Sequence, residues 1–197
     1  MTYIETVPED EASGAVAEMY AADREALGAL PNFTQGFSAR PDVYAAWRTL
    51  NVTIRGNMDL RRYELVTVAA ARRLRSSYCA LAHGSVLLKR GFLEPDALRA
   101  VVADHRSAGL DDIDVAVMDL AGKVVDDATS VTEQDIARLR ELGLSDPEIA
   151  DVVLAAAARC FFSKTLDALG VEPDASYRDL APELQDALTV GRAIAQS

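Results

Sequence analysis

Cys79 and His83 stand four residues apart in RSSYCALAHG, Arg75 to Gly84, and each is one of only two residues of its kind in the chain. On a helix, residues four apart share a face. A thiol beside an imidazole is a nucleophile beside a base: the ring takes the thiol proton or stabilises the thiolate. If a helix starts at Ser76 or Ser77, Cys79 falls in its first turn. There the unpaired N–H groups and positive dipole end also favour the thiolate. Arg72, Arg73 and Arg75 precede the pair and are candidates to add to the effect or to face solvent. The plain alternative is that Cys79 is a small buried hydrophobe and the pairing has no chemistry.

A catalytic histidine needs a group that orients it, and Glu64 is the candidate. It sits inside ELVTVAAA, where a carboxylate needs a partner. Glu64 and Cys79 are 15 residues apart, which is about 22 Å along one straight helix. One helix cannot join them. Two antiparallel helices folded at Arg75–Ser77 can, and the Ser76–Ser77 pair is a natural place for the second helix to begin.

The elements that must do this positioning are all helical. Ser13 to Leu27 carries helical apolar spacing and closes at Gly28 and Pro31; a short apolar piece spans Phe33 to Phe37. Pro41 opens a helix through Tyr44 and Trp47 that ends by Gly56. Asp59 caps one from Leu60 to about Leu74, and Ser76 or Ser77 starts the next, through Leu88, with Gly91 past its end. Further helices start at Pro95, at Asp111 or Asp112, and at Thr132. Ser145 with Glu148 forms a capping box for a long helix that stops at Gly170, and a last helix follows Pro182. The long helix is apolar on several faces, as expected at the centre of a bundle or at a subunit interface. No strand alternation is evident, so the expected fold class is all-α, one compact helical bundle over residues 1–197.

Composition narrows the function classes. The net charge of −11, from 31 acidic and 20 basic residues, argues against nucleic acid and anionic membrane as partners. The start MTYIETVPEDE is acidic, unlike a signal peptide, and no apolar run has the length of a membrane span. The expected address is cytoplasmic, where Cys79 and Cys160 rest as thiols. Neither a metal nor an organic cofactor is expected. His105 is expected at the solvent surface, and Tyr44 and Trp47 in packing, with substrate contact in a pocket between helices as the alternative.

The motif around the site resembles that of the alkylhydroperoxidase D-like proteins of the carboxymuconolactone decarboxylase superfamily. Glu64, eleven intervening residues, Ser76, then Tyr78-Cys79 and His83 follow the family's pattern of Glu, eleven residues, Cys-x-Tyr-Cys, three residues, His. A looser similarity extends to IETVPEDEASGAVAEMY, LPNF, RPDVYAAW, LGLSDPEIADVV and FFSKTLDALGVEP, all like the peroxidase-related branch. The resemblance implies an all-α fold that associates into homo-oligomers.

It also implies roles. Cys79 matches the cysteine that attacks the peroxide and becomes a sulfenic acid, His83 the proton-relay histidine, and Glu64 the glutamate completing the relay. Tyr78 matches the motif tyrosine, a packing residue. Ser76 stands where the family has its first cysteine, which closes a disulfide onto the sulfenic acid. Serine cannot do this, so a one-cysteine peroxidase would need an external thiol reductant. Ser76 is expected to cap the helix, with a hydrogen bond to the departing oxygen as the other role. Cys160, in mid-helix, is expected to pack rather than resolve. Two further readings stand beside the peroxidase: a lyase in which Glu64 and His83 do proton work on a small carboxylated substrate held by Arg72, Arg73 and Arg75, and a scaffold that lost the redox pair.

Overall fold

The computed structural model describes residues 2–196. Among them are ten α-helices, three short 3-10 segments and no strands. The helices are α1 (Gly14–Leu27), α2 (Asn32–Gly36), α3 (Pro41–Gly56), α4 (Leu60–Arg73), α5 (Ser77–Lys89), α6 (Pro95–Asp104), α7 (Asp112–Asp127), α8 (Glu133–Glu141), α9 (Asp146–Leu169) and α10 (Pro182–Leu188). The fold is all-α, and its boundaries follow local signals. Asp59 accepts a hydrogen bond from the Arg62 amide at 2.9 Å and starts α4. Thr132 with Asp135, and Ser145 with Glu148, form capping boxes for α8 and α9. The 3-10 turn at Ala175–Asp179 has no counterpart in the expected elements.

Helix α4 is the axis of the bundle. Every residue from Tyr63 to Ala71 is buried, because α5, α7 and α9 pack around it. Small residues, Ala69 to Ala71, allow the neighbours to come close. Helix α9 lies against α3, α4 and α7 through Ile149, Val152, Ala156, Phe162 and Leu166. Its outward face keeps Leu154 and Phe161 exposed.

Between α4 and α5 the chain reverses over Leu74–Ser76. Arg75 takes a left-handed conformation, φ 56°, a strained choice for a residue with a Cβ. The segment after α10 crosses this turn: the Gly191 amide donates to Ser77 Oγ at 2.8 Å, and a Cβ at 191 would collide with the Arg75 carbonyl oxygen. That close approach explains the glycine. Among the described residues, no helix is long and apolar enough to cross a membrane.

Candidate active site

The reversal brings Glu64 on α4 beside His83 on α5. His83 Nδ1 and Glu64 Oε2 are 2.5 Å apart. Both are interior groups, Glu64 being 2% exposed. A carboxylate accepts, so the pairing assigns the Nδ1 proton to the bond and leaves Nε2 as the free ring nitrogen. Burial lowers the pKa of His83, the nearby charge of Arg159 lowers it further, and Glu64 opposes both. The Tyr63 ring meets the imidazole edge-on, 5.9 Å between centroids.

Cys79 is 2% exposed and lies in the first turn of α5. Its side-chain hydrogen-bond partner among the described residues is not His83 but Arg159 of α9, whose Nη1 donates to the sulfur at 3.7 Å. The other arm, Nη2, donates to Tyr63 Oη at 3.1 Å, and Tyr63 donates in turn to Asn51 Oδ1 at 2.7 Å. The guanidinium also rests against the rings of Trp47 and Phe162, 5.7 and 5.6 Å from their centroids. Arg159 is 3% exposed.

A cavity of about 310 Å³ opens onto these groups. Cys79, His83 and Arg159 form one wall of it. Phe33, Tyr44, Trp47 and Phe162 form an aromatic one, with Leu27 and Val52 among its exposed lining. Tyr44 and Trp47, expected in packing with a pocket between helices as the other place for them, are buried and also face the cavity. Tyr44 donates to the buried carboxylate of Asp23, which also accepts from Thr34 at 2.5 Å and pairs with Arg48 at 2.8 Å. Tyr78 is buried, donates to Asp174 and receives the Phe33 amide at 3.3 Å.

Ser76 is fully buried and holds the N-cap position of α5, but its side chain makes no capping hydrogen bond. Its Oγ is absent from the cavity wall. Among the described residues no hydrogen bond within normal geometry reaches it; Asp167 is the nearby carboxyl it interacts with, burial raising the Asp167 pKa against a smaller lowering by Ser76. The expected side-chain cap is therefore absent.

The basic cluster is placed elsewhere too. Arg72 reaches toward the Ala187 carbonyl, Arg73 pairs with Asp126 at 3.3 Å, and Arg75 reaches toward the Val190 carbonyl. Arg72 and Arg73 line a different cavity, with His105 and Arg106. His105 is not at the open surface; it pairs with Asp119 at 2.8 Å. Cys160 is half-buried, and burial raises its thiol pKa.

Sequence reasoning missed Arg159, Tyr63 and Asn51. A signal for Arg159 existed. It is a charge inside VVLAAAARCFF, three before Phe162 and seven after Val152, on the face those residues bury. A charge on a buried face needs a partner, and that partner lies 80 residues away in sequence. Among the described residues, no group of three or more His, Cys, Asp or Glu side chains is placed to hold a metal ion.

No family model matches the chain. Over 115 residues, 56% of the chain, it is 36% identical to an alkyl hydroperoxide reductase of Mycobacterium tuberculosis, and the match spans 32% of that protein's length. Among solved structures, an alkylhydroperoxidase AhpD core protein from Ralstonia eutropha superposes with a TM-score of 0.81 at 21% identity, covering 89% of this chain and 94% of that one. A peroxidase-related protein from Silicibacter sp. gives 0.76 at 20% identity, covering 89% and 91%. The debrominase Bmp8, in complex with 2,3,4-tribromopyrrole, gives 0.75 at 14% identity, covering 95% and 98%. These likenesses establish a shared fold.

Proposed function

We propose, from the premise that this chain is alkylhydroperoxidase D-like in fold and in sequence, that it is a one-cysteine thiol peroxidase reducing hydroperoxides at Cys79. The observation that carries the reading is that Cys79 and His83 line one aromatic-walled cavity while Glu64, behind that wall, pairs with the His83 ring. His83 Nε2 takes the thiol proton, with Glu64 holding the ring and favouring its charged form. The sulfur then attacks the terminal oxygen of the hydroperoxide. The O–O bond breaks, an S–O bond forms, and the departing alkoxide takes the proton from His83. The products are Cys79 sulfenic acid and an alcohol, sulfur being oxidised by two electrons and the peroxide reduced by two.

Ser76 supplies no thiol, so the sulfenic acid is reduced from outside. Two equivalents of a thiol regenerate Cys79 and leave one external disulfide and one water. The exposed Leu154 and Phe161 on α9 offer an apolar face for association between copies.

The test is treatment with cumene hydroperoxide in the presence of dimedone, followed by mass analysis of the peptides. A dimedone adduct on Cys79, lost in Cys79→Ser and reduced in His83→Ala, is expected. Absence of the adduct, under conditions that label a known thiol peroxidase, removes the reading. A lyase would instead retain its activity in Cys79→Ser and lose it in His83→Ala. A scaffold would show neither dependence.

A further inference from the structure

We propose that Arg159 is a catalytic residue of this site: its buried guanidinium is the counter-ion that holds Cys79 as a thiolate, leaving His83 and Glu64 to move the proton. The inference deepens the peroxidase reading and rests on it for the use to which the thiolate is put.

A guanidinium is always charged, and removing it from water is costly unless an anion meets it. Among the described residues no carboxylate forms an ion pair with Arg159. Its partners are the Tyr63 hydroxyl, two aromatic faces and the Cys79 sulfur. Of these, the sulfur is the one that ionises readily. One Nη donates to that sulfur and the other to Tyr63, so the Tyr63–Asn51 hydrogen bond fixes the direction in which the fork points. Among the described residues Arg159 Nε is buried with no hydrogen-bond acceptor.

Among the described residues no other side chain donates a hydrogen bond to the sulfur. On its own helix, His83 is committed through Nδ1 to Glu64 of α4. On α3, Arg48 is paired with Asp23 of α1, and Arg55 lines the cavity as an exposed residue. Tyr44, Tyr63 and Tyr177 are phenols whose pKa values burial raises, so they remain neutral near pH 7. The division of labour also suits the lowered pKa of His83: the imidazole need not stay charged to hold the thiolate, and once protonated it gives its proton up readily.

The test is the pH dependence of Cys79 alkylation by iodoacetamide, read by mass on the Cys79 peptide so that Cys160 is counted separately. In the wild-type protein the midpoint is expected below the value of about 8.5 for a free thiol. In Arg159→Met it is expected to rise by at least one pH unit, slowing alkylation at pH 7 about tenfold. Arg159→Lys, which keeps the charge, is expected to recover most of the shift. His83→Gln is expected to move the midpoint less than Arg159→Met does.

A wild-type midpoint at or above about 8.5 overturns the proposal without any variant, which covers the case where Arg159→Met does not fold. Equal midpoints in wild type and Arg159→Met overturn it, as does a lysine variant indistinguishable from the methionine one. A low, Arg159-dependent midpoint with no dimedone adduct after peroxide leaves the charge pair standing and removes the peroxidase reading. An adduct with an Arg159-independent midpoint does the reverse.

Discussion

Glu64 and His83 are 19 positions apart in sequence, yet their side chains meet at 2.5 Å because the chain reverses between α4 and α5. The contact fixes which imidazole nitrogen faces the cavity. In Glu64→Gln the amide can donate or accept, so this assignment is lost while the volume is kept. Peroxide consumption at pH 7 is expected to fall on the order of 10²-fold, with the circular dichroism spectrum unchanged. On the proposed relay the two residues act as a unit, so adding His83→Ala should cost much less than its separate effect. Fully multiplicative losses would show that Glu64 does not work through His83.

Stability should carry the signature of the buried imidazole. Burial and Arg159 hold the His83 pKa below its ordinary value of about 6.5. Below that pH the unfolded chain binds a proton that the folded site resists, so stability falls as pH drops from about 6.5 toward the folded-state value. Asp42, hydrogen-bonded by Arg40, and Asp135, hydrogen-bonded by Lys123, are held at about 2, so they contribute their losses mainly below pH ~4. Urea unfolding at pH 7.5 and 5.5 should show a decrease that shrinks in His83→Gln. An identical decrease in both proteins would refute this.

Ser76→Cys asks whether the scaffold can still close the redox cycle. Position 76 is the N-cap of α5 and Cys79 lies in the first turn, with Ser76 buried. On mild oxidation the variant is expected to lose two mass units by joining positions 76 and 79. Dimedone trapping at Cys79 should fall as that bond competes. Persistence of two free thiols in the oxidised variant would mean the geometry does not allow the bridge.

Cys160 should be dispensable. It follows Arg159 on α9, but burial raises its pKa and it does not line the thiol cavity. Cys160→Ser should leave peroxide consumption within about twofold and remove no adduct from Cys79, since a half-buried protonated thiol is a poor nucleophile. Loss of turnover with an intact Cys79 adduct would instead make it a resolving thiol.

Much of the scaffold was legible in the residues because its signals are local. Asp59, Thr132 and the Ser145–Glu148 pair mark helix starts, and Gly170 marks an end, within one turn of the observed boundaries. The antiparallel fold of α4 on α5 followed from arithmetic, since 15 residues of straight helix would keep Glu64 away from Cys79. Local signals were poorer guides to where side chains point. Ser76 sits at the cap without capping, and Arg72, Arg73 and Arg75 turn away from the thiol they precede.

The sequence alone determined that the protein is a helical bundle and that a thiol, an imidazole and a carboxyl group could share one turn of it. Helix caps, apolar periodicity and i, i+4 spacing are short-range properties, readable from neighbouring residues. Only the tertiary structure decided what touches the sulfur. Arg159 reaches Cys79 because α9 and α5 both pack on α4, and that packing is set by apolar surfaces distributed along the whole chain. A long-range contact of this kind leaves just one trace in the sequence, a charge on a face that must be buried.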